Sequence, residues 1–178
     1  DIGAGAGSQS MVLHRRGHPV TALDISPQAV AILKQRGISD AHCADIFQFQ
    51  GGSYDTLLMM GHGIGMVETI DGLDRFLVQA PGLLSANGQL LLDSLDVRVT
   101  NDPDNLSYHE TNRKAGRYIG EIRMQFEFQG LSGPYCTWLH VDAGTLNERA
   151  ESAGWQCQIV CREENGDYLA RLTRLKMK

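Results

Sequence analysis

The chain has 178 residues, 42% of them hydrophobic and 21% charged, the composition of one globular domain able to bury a core without disulfide or metal staples. Its net charge of −5 argues against a partner gripped mainly through phosphates, and no run approaches the ~18 apolar residues of a membrane span. A small molecule, rather than nucleic acid or a membrane, is the expected partner, and no charge block, low-complexity tract or internal period points to disorder or a repeat array.

The chain opens on Asp1-Ile2-Gly3-Ala4-Gly5-Ala6-Gly7, and the residues from Ser8 onward (SQSMVLHRR) supply a helix. Alternate glycines let the backbone turn tightly and let a ligand approach its N–H groups, and the helix that follows offers its positive end to an anionic group. Short apolar runs then read as buried parallel strands: His18 to Asp24, Ala41 to Ala44, Tyr54 to Met60 and Gln89 to Ser94. Between them the spacing is helical. Pro27 to Arg36 starts at the Ser26-Pro27 cap and ends at Gly37, and Thr69 to Ala80 sets Leu73, Phe76, Leu77 and Ala80 on one stripe. Strand, helix, strand, helix with short loops predicts right-handed βαβ units and a doubly wound α/β sheet.

After Asp96 the texture changes. Thr100 to Asn112 reads as polar loop or cover, and Tyr118 to Gln129 as a long half-buried strand with Ile122, Met124, Phe126 and Phe128 on one face. Tyr135 to Val141 returns as its antiparallel mate. Asp142 caps a helix with Leu146, Ala150 and Ala153 inward, closed by Gly154. Trp155 to Arg162 and Asp167 to Leu175 form a final pair across Asn165-Gly166, a strong hairpin signal. Four cysteines, at 43, 136, 157 and 161, make no CxxC pair. They suggest no metal or redox site, and Cys157 and Cys161 are expected as small core side chains on one strand face. A reduced, cytoplasmic setting fits them.

A glycine loop alone leaves dinucleotide, phosphate and structural readings open. The downstream acids narrow the choice. Asp24 ends the second strand, where a carboxylate can accept hydrogen bonds from both hydroxyls of a ribose, and Asp45 ends the third, within reach of an adenine amino group. Asp1 precedes the loop, so the three acids line the edge where open α/β sheets bind ligands. A nicotinamide-dependent oxidoreductase shares these features but predicts GxGxxG, which Gly7-Ser8 spoils. A non-catalytic cofactor-binding module is a further alternative.

These residues, with Leu23-Asp24-Ile25-Ser26, Ala44-Asp45-Ile46 and Tyr54-Asp55, resemble the ordered motifs of class I methyltransferases dependent on S-adenosylmethionine. Gly61-His62-Gly63-Ile64-Gly65-Met66 and the run Tyr118 to Glu127 are similar to an uncharacterised small-molecule-type branch of them. The resemblance implies a Rossmann-like, mostly parallel seven-stranded sheet with its last strand antiparallel, plus an inserted β-hairpin. It implies S-adenosylmethionine as cofactor, with Gly3, Gly5 and Gly7 under its methionine part and Asp1 orienting its amino group. Asp24 would hold the ribose, Ile25 pack on the adenine face, Asp45 and Ile46 read the adenine edge, and Met60 and Gly61 contact the methionine part near the sulfonium.

One domain, 1–178, is expected, divided into a cofactor-binding half (1–95), an inserted cover and hairpin (96–141) and the last helix with its antiparallel pair (142–178). Transfer from a sulfonium is an in-line displacement that needs alignment more than acid–base help. If a base is used, His62 is the candidate, because the end of the fourth strand faces the methyl group in this fold. His109, Glu110, Tyr118, Tyr135, Trp138 and His140 fall in or near the insertion that would roof an acceptor pocket. No Asn/Asp-Pro-Pro-aromatic run follows Met59-Met60, and Tyr135 separates Pro134 from Cys136, so the signatures of amino-nucleobase and cytosine methylation are missing. Because Asp1 reads as the end of a central strand, further N-terminal residues supplying that strand are expected in the natural protein.

Overall fold

The computed structural model describes residues 1–175; the last three residues of the expected 142–178 segment lie outside them. Helix α1 (Ser8–Arg15) follows the glycine loop directly, and the first strand after it, β1, is short (Ala22–Asp24). Helix α2 (Pro27–Gln35) starts where the Ser26 hydroxyl accepts the amide of Ala29, with proline at its first position. Strands β2 (Ala41–Cys43) and β3 (Tyr54–Met59) lead into a 3-10 turn over Gly63–Val67. Helix α3 (Ile70–Gln79) is capped by Thr69, whose hydroxyl accepts the amide of Gly72 at 3.0 Å. Strand β4 (Leu84–Leu95), helix α4 (Pro103–Lys114), the hairpin β5 (Glu121–Phe128) and β6 (Leu131–Leu139), helix α5 (Ala143–Ser152), β7 (Trp155–Arg162) and β8 (Asp167–Arg174) complete the order.

The βαβ alternation makes an α/β, Rossmann-like arrangement, but the expected seven-stranded sheet is not formed as one piece. A parallel pair β1-β2 stands beside a four-stranded sheet ordered β3-β4-β8-β7, and β5-β6 forms a separate hairpin. Among the described residues Ile2 spans the first two: it bridges Leu23 of β1 in parallel, and its amide donates to the Leu58 carbonyl of β3 at 2.8 Å. Strand β8 lies antiparallel to β7, as the Asn165-Gly166 turn requires, and also antiparallel to β4.

The core follows the apolar stripes read from the sequence. Leu73, Phe76 and Leu77 of α3, Ala80 just past its end, and Leu146 and Ala150 of α5 are buried against Leu90, Leu92 and Leu172 of the sheet. Trp155 is fully buried there and donates its indole N–H to the Leu77 carbonyl at 2.8 Å. A smaller cluster under α2 joins Ala22, Val30, Leu33, Ile38 and Ala41. No helix among the described residues is long and apolar enough to cross a membrane.

Four expectations are corrected. Thr100 to Asn112 is not loop but largely helix α4, whose start is fixed by Asp102 accepting the amides of Asp104 and Asn105. The strand expected over His18 to Asp24 forms only from Ala22, where pairing with β2 begins. Along β5 the inward face holds only as far as Met124: Phe126 and Phe128, 60% and 72% exposed, project beyond the body past a register shift after Gln125. Cys161 leaves the face of Cys157, because a β-bulge between Ile159 and Cys161 adds one residue and inverts the alternation. Cys157 stays half-buried, and burial pushes its thiol up to about 11, so it remains a protonated packing group.

Candidate functional site

The glycine loop sits at the carboxyl edge of the parallel strands. Gly3, Gly5 and Gly7 have φ of +71°, +54° and +93°, the left-handed region that side chains rarely adopt. A Cβ on Gly3 would lie 2.5 Å from the Met66 sulfur, and one on Gly7 2.7 Å from Leu33, whereas Gly5 faces open space. The loop is therefore packed from beneath at its ends and open at its middle. Asp24, at the tip of β1, accepts the amide of Gly5 on one oxygen and that of Ser26 on the other, both at 2.8 Å. Asp1 accepts the Ser10 amide at 3.1 Å and its hydroxyl at 2.5 Å, tying the strand end to the first turn of α1.

Beyond Asp24 the side chain of Ile25 is 72% exposed, an apolar surface left uncovered beside a carboxylate. Asp45 uses one oxygen to accept the amide of Phe47 at 2.7 Å, and Ile46 next to it is buried in the core. Ile46 thus faces inward, and its neighbour Asp45 is the polar group of that pair. An open glycine, a carboxylate with lone pairs left for a further hydroxyl and an exposed apolar side chain stand together at this edge, groups able to meet a nucleoside with a polar tail.

The end of β3 is organised differently. Asp93 of β4 accepts the amides of both Gly61 and His62, at 3.0 and 2.8 Å. These two bonds hold His62 at φ 57°, a left-handed conformation uncommon for a residue with a side chain. The half-buried His62 ring places Nε2 2.9 Å from an oxygen of Asp167, the first residue of β8. On its other side the His140 ring packs edge-on, with centroids 5.2 Å apart. Burial, with His62 as a second cause, lowers the His140 imidazole to about 4, and its Nδ1 is buried with no hydrogen-bond partner.

Beside this cluster a cavity of about 480 Å³ opens between the end of β4, helix α4 and the root of the hairpin, lined among others by Leu95, Val99, Tyr108, His109, Arg123 and His140. The Arg123 guanidinium lies 4.5 Å over the Tyr135 ring. The wall is braced by Asp142, which caps α5, accepts the Tyr118 hydroxyl at 2.6 Å and pairs with Arg98 at 2.9 Å. Burial alone would raise the Asp142 carboxyl, but the bonds from Tyr118 and Thr145 and the charge of Arg98 hold it below its ordinary value. A second cavity, of about 490 Å³, flanks Ile2 between β1 and β3 and is lined by Thr21, Ser53, Tyr54 and Gln89. It lies at the amino end of the strands, the wrong edge for ligand binding in an open α/β sheet. No group of three His, Cys, Asp or Glu suited to a metal ion occurs among the described residues.

The structure thus gathers Asp1, Gly3, Gly5, Gly7, Asp24 and Ile25 around one loop, and Met60, Gly61 and His62 at the neighbouring strand end. Sequence reasoning missed Asp93 and Asp167, since each meets His62 from a distant segment with no local motif. It did name His140 and His109, but only as cover.

The profile of the methyltransferase domain family matches residues 1–92. No curated protein matches the chain by sequence. Among solved structures, the chain is similar to a methyltransferase dependent on S-adenosylmethionine from Bacteroides fragilis, bound to S-adenosyl-L-homocysteine, with a TM-score of 0.84 and 30% identity over 99% of this chain and 71% of that one. It shares its fold with a methyltransferase of the same dependence from Methanosarcina mazei, TM-score 0.76 at 15% identity over 99% of this chain and 92% of that one. An amino pentose methyltransferase from Micromonospora echinaspora, bound to S-adenosylmethionine, has a TM-score of 0.66 at 16% identity over 98% of this chain and 81% of that one.

Proposed function

The chain belongs to the family of methyltransferases dependent on S-adenosylmethionine, and on that premise we propose that its acceptor is a small molecule held in the cavity between β4, α4 and the hairpin. Its activity is methyl transfer with S-adenosylmethionine as cofactor, which sets aside the nicotinamide and non-catalytic alternatives. The cofactor supplies a methyl group already activated on a sulfonium, so the protein's task is alignment and exclusion of water.

In this reading Gly3, Gly5 and Gly7 lie under the methionine part and Asp1 orients its amino group. Asp24 accepts the ribose hydroxyls, Ile25 covers the adenine face, and Asp45 with the backbone at Ile46 reads the adenine edge. Met60 and Gly61 line the methionine part at the end of β3. His62 takes the acceptor's proton. The open space at Gly5 and the exposed Ile25 support the assignment. The two- and four-stranded sheets, with the segment at Ile2 as the seventh strand between them, then act as one framework, and the chain works as one domain: 1–95 for the cofactor, 96–141 as cover and 142–178 closing the sheet.

The observation that carries the small-acceptor reading is the cavity of about 480 Å³ at the carboxyl edge of the sheet, joined to the end of β3 through the His62–His140 contact. A screen of small hydroxylated, amino and thiol compounds with methyl-labelled cofactor tests it. Label transfer to at least one class is expected, and transfer only to a macromolecule would overturn the reading.

A further inference from the structure

His62 is fixed at three points, more than a solvated loop residue requires. Asp93 takes its amide and that of Gly61, Asp167 takes Nε2, and the His140 ring stands against its face. Asp167 is itself fixed. Its second oxygen accepts Asn165 Nδ2 at 2.8 Å, and its amide donates to Asn165 Oδ1 at 3.0 Å, so the Asn165-Gly166 turn sets the direction of the carboxylate. A carboxylate accepts only, so the proton between the two groups belongs to His62 Nε2.

From this arrangement we propose that Asp167 is the positioning residue of an acid–base pair: it holds the Nε2 hydrogen of His62, leaving Nδ1 as the lone pair that takes the proton of a hydroxyl-bearing acceptor. The inference rests on the reading of the neighbouring cavity as the acceptor site. It also narrows the acceptor, because a neutral amine already presents a lone pair, whereas a hydroxyl gains most from losing its proton as it attacks. The acceptor oxygen gives its proton to Nδ1 and its electron pair to the methyl carbon, and the carbon–sulfur bond breaks with its pair left on sulfur. The imidazolium so formed lies against the Asp167 carboxylate and returns its proton to water.

The groups facing His62 suit this division of labour. Asp93 meets it from β4 through the backbone, Asp167 from β8, and His140 from the end of β6. His140 stays uncharged down to about 4, so no second imidazolium competes beside His62. An orienting carboxylate of this kind fixes the tautomer without itself taking the proton.

The test uses two probe acceptors, phenol and para-nitrophenol, at a slightly alkaline pH where the second is ionised and the first is not. Asp167→Asn should lower phenol methylation about 100-fold, the scale of general base assistance, and para-nitrophenol methylation far less. Asp167→Glu should recover part of the phenol rate. In the protein without cofactor, nitrogen NMR should show His62 carrying its proton on Nε2 in the wild type and losing that preference in Asp167→Asn. Equal losses on both phenols, or no loss on either, would overturn the proposal. So would a wild-type His62 protonated on Nδ1, a measurement that decides even if the variant fails to fold. A wild-type chain that methylates amino or thiol compounds of the wider screen but neither phenol would overturn this inference and leave the small-acceptor reading standing, whereas transfer only to a macromolecule would overturn both.

Discussion

Single residues at the carboxyl edge differ in what they hold, and their substitutions should differ accordingly. Asp24 anchors Gly5 and Ser26 through its two oxygens, which leaves each oxygen a further lone pair for a ligand hydroxyl. Asp24→Asn should weaken binding of S-adenosylmethionine by about 10- to 100-fold, the equivalent of hydrogen bonds to a charged acceptor, as read by calorimetry. Unchanged affinity would remove Asp24 from the ribose site. Ile25 is exposed, so Ile25→Ser should cost affinity with little loss of melting temperature. His140 gives a pH signature of its own. Its folded imidazole is lowered from 6.5 to about 4, while the unfolded chain protonates near the ordinary value. Between those values the unfolded state binds more protons, so stability should fall as pH drops from about 6.5 to about 4 and level off below. Urea titrations across that range should show a smaller fall in His140→Gln.

Helix α4 and the hairpin are the elements on which the acceptor cavity depends. The helix is polar on most sides, and only His109 and Asn112 are buried along it. It is held by its capped start and by two side chains, since the Tyr108 hydroxyl accepts the Arg123 amide of β5 at 2.9 Å. Asp102 caps its first turn, and the Asn112 amide group donates to the carbonyls of Tyr118, Ile119 and Glu121 at 3.4, 3.3 and 2.9 Å. Asn112→Ala should leave those carbonyls short of a partner and cost about 1–3 kcal/mol. The loss should appear as faster hydrogen exchange confined to α4 and the root of β5, with binding of S-adenosylmethionine unchanged. Loss of cofactor binding as well would show that the cover and the glycine loop are one unit. Helix α4 is hidden from a periodicity argument because PDNLSYHETNRK has no apolar stripe, and polarity alone reads as loop. The bulge in β7 was hidden for a related reason: an added residue changes the face of Cys161 without changing the composition.

For the whole molecule, stability is centred on the contact between the four-stranded sheet and the layer of α3 and α5. Trp155 is fully buried there, filling the space between the sheet and α3 and satisfying its one donor on Leu77. Trp155→Ala should cost about 3–5 kcal/mol through the cavity it leaves, which a single domain of this size shows as a clear fall in melting temperature and denaturation midpoint. Leu33→Ala, in the separate cluster under α2, should also destabilise, by about 2–5 kcal/mol. Because it sits against Gly7, it should weaken cofactor binding too, whereas Trp155→Gly or Ala at sub-denaturing temperature should not.

The sequence by itself determined the α/β alternation, the glycine loop, the acids that follow it and the methyltransferase resemblance. Each of these rests on residues close together in the chain, where backbone conformation, caps and apolar period act locally. Tertiary structure alone decided which strands pair across the gap at Ile2, that a polar segment becomes α4, and that Asp93 and Asp167 converge on His62. Those contacts join His62 to residues 31 and 105 positions away. No local pattern encodes them, because they exist only once β4 and β8 pair and bring their ends to the same edge of the sheet.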